Sequence, residues 1–369
     1  MRPFSPLRSW PTNLFLVLAA CSVGWGVFRA LTSSKDLMTR LAEWQYLAHR
    51  WGELPGWPAP YLPITYALLS PFVWMPVGLA RAVFLALNLA CLFYVWHRVT
   101  KVFELGETER WLWLALFGSW ACVRVTLGSG QLGLMCLAAV LWAFPFERGG
   151  DGVRLAVSAI KHTLAYPVWL WLLWRRPRQL LGTALVGLVP FVCVLLFNPV
   201  PVTRFMQSTL DATEKMVVKW DGGTSLLSAL RLTWPSGKWW YLIVGALWVT
   251  LFLWLVWRCR QQRALVSVLL LMSLWPFYHR PYDFVVAGPF LGMLLAKQQH
   301  GWAVGLTVAA LGWYERLESL RFWEMGWLRV VASWYYPAII FACLGLEAWR
   351  LRADLSSQAN SEAERARTE

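Results

Sequence analysis

Apolar runs close to the length of a bilayer crossing recur along almost the whole chain, and they constrain its fold more than any other feature. A helix needs about 20 apolar residues to cross the hydrocarbon core of a membrane. The runs are continuous rather than alternating, which excludes membrane-spanning strands. We therefore predict an all-α polytopic integral membrane protein, a bundle of roughly 10–12 transmembrane helices with interfacial helices in its outer loops.

The composition excludes a soluble protein, because 58% of the residues are hydrophobic and only 15% are charged. The formal net charge of +14 does not indicate a nucleic-acid partner. Its Lys and Arg fall mostly between the apolar runs, as they do in cytoplasmic loops. Six of the seven Cys lie inside apolar runs, and no metal-ligand or disulfide spacing is present. We therefore predict no resident metal and no other cofactor.

The basic residues also predict the topology. Arg2 and Arg8 precede a first span at Leu14–Leu31, which has no cleavage site and is predicted to be an uncleaved helix. This places both termini in the cytoplasm of a multi-pass protein of the cell (inner) membrane. Residues 1–350 are predicted to form one membrane-embedded domain, with a first outer loop at 31–63, a second outer loop at 198–238 and a polar cytoplasmic tail at 351–369.

The first outer loop contains an amphipathic helix. Apolar residues recur there at three- and four-residue steps, which puts them on one helix face: Leu37, Leu41, Trp44, Leu47 and Trp51. Such a helix lies in the membrane interface rather than across the membrane. Asp36 is at its N-terminal end, where it either caps the helix or serves as a catalytic base. The residues alone leave these two roles open.

Two further stretches interrupt the apolar runs. Tyr61–Val77 contains three prolines and is predicted to dip into the membrane without crossing it, although a broken span remains the alternative. Gly128, Gly130 and Gly133 have G-x-G-x-x-G spacing, but no strand precedes them, so a tight turn between membrane helices is the favoured interpretation. Glycines at such a turn also let a phosphate approach the following helix N-terminus.

Lys161 is the first candidate site residue inside an apolar run. The run Leu155–Trp174 also holds His162 and Pro167, and basic residues flank it on both sides. This pattern predicts a segment that enters the membrane and returns, broken near the proline. A buried Lys costs roughly 2.5–3.5 kcal/mol on insertion scales, so it marks a functional site unless it snorkels to an interface.

A second candidate is the polar stretch 276–283, which separates two apolar runs and includes Tyr278, His279, Arg280 and Asp283. We expect this stretch, Asp36 and the Lys161 segment to converge on the outer side. A carboxylate that faces cations suits a base acting on an acceptor while a phosphate departs. A metal held by Asp36, His279 and Asp283 is a faint alternative, because the three lie far apart in sequence.

A family resemblance can be stated on these residues. The run YLPITYALLSPFVWMPVGLARAVFLALNLACL at 61–92 resembles the Tyr–Pro–Pro segment and following helix of glycosyltransferase family 87. Further similarities are Gly130–Gln131, Lys161 with Pro167, and Pro276 with Tyr282–Asp283. Members of this family are polytopic GT-C enzymes that use polyprenyl-phosphate mannose. The resemblance therefore implies a GT-C-like bundle.

The resemblance also implies an activity. The chain is expected to be an inverting hexosyltransferase that moves a sugar, mannose by analogy, from a polyprenyl phosphate to a lipid or glycan acceptor on the extracytoplasmic face. Asp36 matches the catalytic base. The substrate-binding residues are expected to be Gln131, Lys161, His162, Tyr278, His279, Arg280 and Asp283. The partners would be the donor, the acceptor and membrane lipids. A transporter or lipid flippase is the alternative, although no internal repeat is visible.

Overall fold

The structure is a computed structural model of the chain. It describes residues 10–39, 41–42, 63–148, 150–197, 226–234, 239–259, 261–275, 279–312, 330–331 and 333–351. Most of the first outer loop, most of the second outer loop, Tyr278 and the tail 352–369 lie outside these ranges. Predictions for those residues remain predictions.

The described residues are almost entirely helical, and no strand occurs among them. The helices are α1 Trp10–Thr32, α2 Pro63–Val73, α3 Val77–Val102, α4 Glu107–Ser119, α5 Ala121–Ser129, α6 Gly133–Ala143, α7 Asp151–Ala156, α8 His162–Arg175, α9 Pro177–Phe197, α10 Leu226–Thr233, α11 Trp240–Arg258, α12 Gln262–Ser273, α13 Gly288–Ala296, α14 His300–Ala310 and α15, residues 333–351. Two 3-10 helices, Val157–Lys161 and Pro281–Ala287, precede α8 and α13.

Two helical stretches in this part of the chain are long and apolar enough to cross a bilayer, Thr12–Thr39 and Val77–Val102. A third crossing results if α4 and α5, which are bent by 63° at their junction, count as one span. Helix α2 has 11 residues, about 16 Å, and is too short to cross. The all-α class and its membrane-embedded helices are confirmed, while the number of roughly 10–12 crossings stays a prediction.

The predicted break near Pro167 is wrong in position. Pro167 lies inside α8, and the helix continues to Arg175. The interruption comes at Lys161, whose backbone is not helical (φ −141°, ψ 66°) and which ends the first 3-10 helix. Membrane helices tolerate an internal proline because neighbouring groups satisfy the freed carbonyl, whereas a buried ammonium group must reach an anion.

Glycines let α1 pack closely on the bent pair α4–α5. A Cβ on Gly26 would lie 2.9 Å from the Arg124 carbonyl oxygen, and one on Gly118 would lie 3.1 Å from the Ala19 Cβ. A Cβ on Gly128 would likewise lie 3.0 Å from the Arg29 Cβ. Small residues allow such close backbone approach between membrane helices, where packing rather than hydrophobic burial drives association.

Charged contacts gather the basic loops at one end of the bundle. The Arg98 guanidinium donates to the carbonyl oxygens of Leu141 (3.1 Å) and Phe144 (2.7 Å). At the same end, Arg263 pairs with Glu104, and Lys297 pairs with Glu347. Because α6 runs from Gly133 toward this end, the turn that precedes α6 lies away from the basic loops.

That turn is shaped by Gly130, which ends α5 in the left-handed conformation (φ 72°, ψ 49°). The backbone N–H groups of Gly130 and Gln131 both donate to the Thr126 carbonyl oxygen, as in a glycine helix cap. A Cβ on Gly130 would lie 2.7 Å from the Leu37 Cβ. The glycine therefore supplies both the backbone conformation and the space for the segment that carries Asp36.

We expect Gly130→Ala to lower the stability of the protein. The left-handed conformation costs an Ala about 1–2 kcal/mol, and the contact with Leu37 adds to this. Thermal unfolding of the purified protein in detergent measures the change. Gly245→Ala is the matched control, because nothing lies within 4 Å of its Cβ position inside α11 and Ala favours a helix. Equal melting temperatures for Gly130→Ala and the parent would contradict the prediction.

Candidate functional site

An ion pair joins the two 3-10 helices. The Lys161 ammonium group contacts Asp283 Oδ1, and both side chains are buried, at 6% and 5% exposure. Lys161 is the last residue of its 3-10 helix, and Asp283 is the third residue of the other. An isolated Lys in an apolar core is costly, so Asp283 supplies the compensating charge.

His279 completes the cluster. Its Nδ1 lies 3.1 Å from Asp283 Oδ2, and its Nε2 lies 2.8 Å from the Ser273 carbonyl oxygen. A carbonyl oxygen only accepts, so Nε2 carries a proton and donates. The contact at Nδ1 joins His279 to the same carboxylate that Lys161 contacts. The backbone N–H of Arg280 also donates toward Asp283 Oδ2, at 3.4 Å.

The cluster thus holds two basic side chains, Lys161 and His279, against one carboxylate, Asp283. Basic side chains of this kind stabilise a nearby anion, although Asp283 already neutralises part of their charge.

Two aromatic rings border the cluster. The Lys161 ammonium lies 4.7 Å from the centre of the Tyr282 ring, within the range of a cation–π contact. The imidazole of His162, the first residue of α8, has a buried Nδ1 with no hydrogen-bond partner among the described residues. A buried ring nitrogen without a partner leaves room for a ligand hydrogen bond.

Asp36 lies outside the cluster, in the short helical segment 35–39 that follows α1. It is the second helical residue of this segment, whereas a capping residue precedes the first helical residue. Its side chain is half-buried. Within the described part of the chain, the Asp36 carboxylate takes part in no hydrogen bond or ion pair. The geometry thus lacks the backbone hydrogen bonds that a capping role requires.

The glycine turn connects Asp36 with the cluster. Leu37, the neighbour of Asp36, is buried against Gly130. On the other side of the turn, a Cβ on Gly133 would lie 2.9 Å from the Val285 Cγ2, and Thr126 donates to the Tyr282 carbonyl oxygen at 3.4 Å. One turn therefore contacts both the segment that carries Asp36 and the 3-10 helix that carries Asp283.

The other predicted site residues fall near this turn or outside the described ranges. Gln131 is buried directly after Gly130, and Arg280 is half-buried beside Asp283. Tyr278 lies outside the described residues. Within the described ranges, no group of three or more His, Cys, Asp or Glu is placed to hold a metal ion. His279 and Asp283 are paired with each other and with Lys161 instead.

Two residues near the site were not predicted to be site residues. Tyr282, known from the sequence only as part of the Tyr282–Asp283 similarity, contributes its ring to Lys161. Arg81 donates to the last turn of α1, four residues before Asp36. It is a charged residue within an apolar run, the same signal that selected Lys161.

We expect substitutions of Lys161 and Asp283 to have strongly coupled effects on stability in a double-mutant cycle. Lys161→Met or Asp283→Leu alone removes one charge of a buried ion pair and should cost about 3–5 kcal/mol. The double variant should regain most of that loss, as measured by unfolding of each variant in detergent.

The matched control for this cycle is the exposed pair Arg263–Glu104 at the other end of the bundle. Arg263→Met and Glu104→Leu should couple by less than about 1 kcal/mol. Additive effects of the Lys161 and Asp283 substitutions would contradict the ion pair.

Comparisons with known proteins agree with this architecture. The family model described as glycosyltransferase family 87 matches residues 60–277, more than half of the chain. The matched range includes Gln131, Lys161 and His162 but ends before His279 and begins after Asp36. No curated protein and no solved structure gives a match. The match gives no support to a transporter or flippase, and the chain belongs to glycosyltransferase family 87, which makes it a membrane glycosyltransferase.

Proposed function

We propose that this glycosyltransferase moves a hexose, mannose by analogy with the family, from a polyprenyl-phosphate sugar to a lipid or glycan acceptor. The observation that carries the proposal is Asp36, a half-buried carboxylate with no partner among the described residues, whose segment packs on the same glycine turn as the 3-10 helix of the buried Lys161–Asp283–His279 cluster. A base and a cationic group at one end of a membrane bundle suit transfer from a lipid phosphate.

In this proposal Asp36 is the general base. Its carboxylate takes the proton of the acceptor hydroxyl, whose oxygen attacks the anomeric carbon of the sugar. The bond between that carbon and the phosphate oxygen breaks in the same step, and its electron pair stays on the departing phosphate. A single displacement of this kind inverts the configuration at the anomeric carbon.

The cluster would bind the donor. Its ammonium group, on Lys161, favours the departing phosphate over a neutral ligand. We propose that a sugar hydroxyl bonds with the Nδ1 of His162, which is buried and has no hydrogen-bond partner among the described residues. Gln131, Tyr278 and Arg280 are further substrate contacts in this proposal, while His279 and Asp283 act as positioning residues because both nitrogens of His279 and both oxygens of Asp283 are engaged within the chain.

The proposed orientation places Asp36 outside the cell and the basic end in the cytoplasm. The positive-inside rule supports this, because Arg98, Arg263 and Lys297 gather at the end away from the glycine turn. The protein would then be a multi-pass protein of the cell (inner) membrane, with both termini cytoplasmic. Its donor would arrive on a lipid because nucleotide sugars are confined to the cytosol.

Replacing Asp36 tests the reaction. Asp36→Asn keeps the size and an acceptor oxygen but removes the basicity, so sugar transfer should fall by at least about a hundredfold. Donor binding and folding should remain close to those of the parent. The measurement is transfer of radiolabelled mannose from polyprenyl-phosphate mannose by the purified protein, with Glu104→Gln, an exposed residue at the other end, as the control. Near-normal turnover by Asp36→Asn would return Asp36 to a structural role.

The orientation has its own test. Single cysteines at Asp36 and Arg176, in a background without the seven native cysteines, should react differently with a membrane-impermeant thiol reagent. Asp36→Cys should be labelled from outside intact cells and Arg176→Cys only after the membrane is opened. The reverse pattern would invert the proposed topology.

A further inference from the structure

Arg81 holds the end of α1 in place. It is the fifth residue of α3, and its Nη1 donates to the carbonyl oxygens of Thr32 (3.2 Å) and Leu31 (3.5 Å). These oxygens belong to the last turn of α1, where carbonyl groups lack helical partners. Directly after this turn, Ser34 adopts a positive φ of 40°, and the chain enters the segment that carries Asp36. Arg81 is thus fixed within a few residues of the proposed base.

Part of the Arg81 guanidinium has no partner among the described residues. Its Nε is buried and makes no hydrogen bond within them, and Arg81 forms no ion pair there. The N–H groups of Nε and Nη2 point the same way and form a fork that matches two oxygens of a phosphate or carboxylate. Nη1 is already turned toward α1. A fork of this kind suits the phosphate of a ligand.

The surroundings of Arg81 suit a lipid. Both α1 and α3 belong to stretches long enough to cross a bilayer, and Arg81 lies where the two meet at one membrane boundary. Large apolar side chains are exposed on the last two turns of α1, which Arg81 contacts: Phe28 (56%) and Leu31 (50%). Leu79 (51%) is exposed on the first turn of α3. An isoprenoid chain can lie along this surface while its phosphate stays at the depth of the guanidinium.

We infer that Arg81 binds the phosphate of the polyprenyl carrier, with the isoprenoid chain along the exposed apolar surface of α1 and α3. This inference rests on the proposed function and deepens it. The donor phosphodiester carries one negative charge, whereas the phosphate monoester released by transfer carries about −1.5 to −2 at pH 7. Arg81 adds a full positive charge, so it should favour the released carrier over the donor.

The experiment measures binding of radiolabelled polyprenyl phosphate to the full-length protein in nanodiscs of zwitterionic lipid. Arg81→Gln should weaken this binding about tenfold to a hundredfold, the usual range for a lost charge-assisted contact to phosphate. Arg81→Lys, which keeps the charge but loses the fork, should bind with intermediate affinity. Arg81→Gln should change the affinity for a polyprenol of equal length, which has no phosphate, by less than threefold.

Arg98→Gln is the matched control. Arg98 is on the same helix and also donates to carbonyl oxygens, but at the basic end. Its loss therefore reproduces the structural effect of removing a capping arginine without touching the proposed phosphate site. Polyprenyl phosphate should bind to this variant as it does to the parent. Equal weakening in both variants would overturn the inference, because a general loss of structure would then explain the effect.

Two competitors identify the source of the phosphate. Excess phosphatidylglycerol and excess inorganic phosphate should each displace polyprenyl phosphate poorly. Equal competition by phosphatidylglycerol would overturn the inference in favour of a general phospholipid contact, and equal competition by inorganic phosphate would overturn the role of the apolar surface. Unchanged binding to Arg81→Gln would overturn it outright.

The proposed function and this inference can fail separately. If the parent protein transfers no sugar from a polyprenyl-phosphate donor, the proposed function fails whatever Arg81 binds. If the parent transfers sugar while Arg81→Gln binds the released carrier normally, only the inference fails. Steady-state kinetics give a second measurement. Polyprenyl phosphate, the released product, should inhibit sugar transfer by Arg81→Gln less strongly than it inhibits the parent.

Discussion

The ion pair between Lys161 and Asp283 is the interaction on which the centre of this protein depends. The two residues are separated by 122 positions, and each lies at an interruption of an apolar helical stretch. A lone ammonium or carboxylate at this depth is costly, so each charge is tolerated only in contact with the other. The pair therefore fixes one 3-10 helix against the other, and α8 and α13 continue from them.

The glycine turn at Gly130 determines how this pair relates to Asp36. A side chain larger than hydrogen there would push away Leu37, and one at Gly133 would push away Val285. Two close approaches on opposite sides of one turn bring the first outer loop and the second 3-10 helix to the same place. The glycine pattern thus has a packing function, and its resemblance to a dinucleotide-binding motif is one of spacing only.

The two ends of the bundle use charge in different ways. At the basic end, ion pairs such as Arg263–Glu104 are exposed, and they stabilise loops by modest amounts. At the other end the described charges include the buried Lys161–Asp283 pair, and Asp36 and the Arg81 Nε, neither of which has a partner among the described residues. The proposed function gives this second arrangement its meaning, because a transferase acting on a lipid-linked sugar would need a base and phosphate-binding cations at the membrane boundary.

The sequence by itself determined the all-α membrane class, since only helices satisfy backbone polar groups within continuous apolar runs. It also located α1 and the turn at Gly130, and it selected Lys161 as a candidate, because a charge or a glycine in an apolar run has few explanations. Tertiary structure decided which charges meet. Lys161 could have faced a ligand or an interface, and only the packing of the two 3-10 helices gave it Asp283. The break at Lys161 rather than Pro167, and the position of Arg81 beside Asp36, depend on contacts between distant helices that no local pattern encodes.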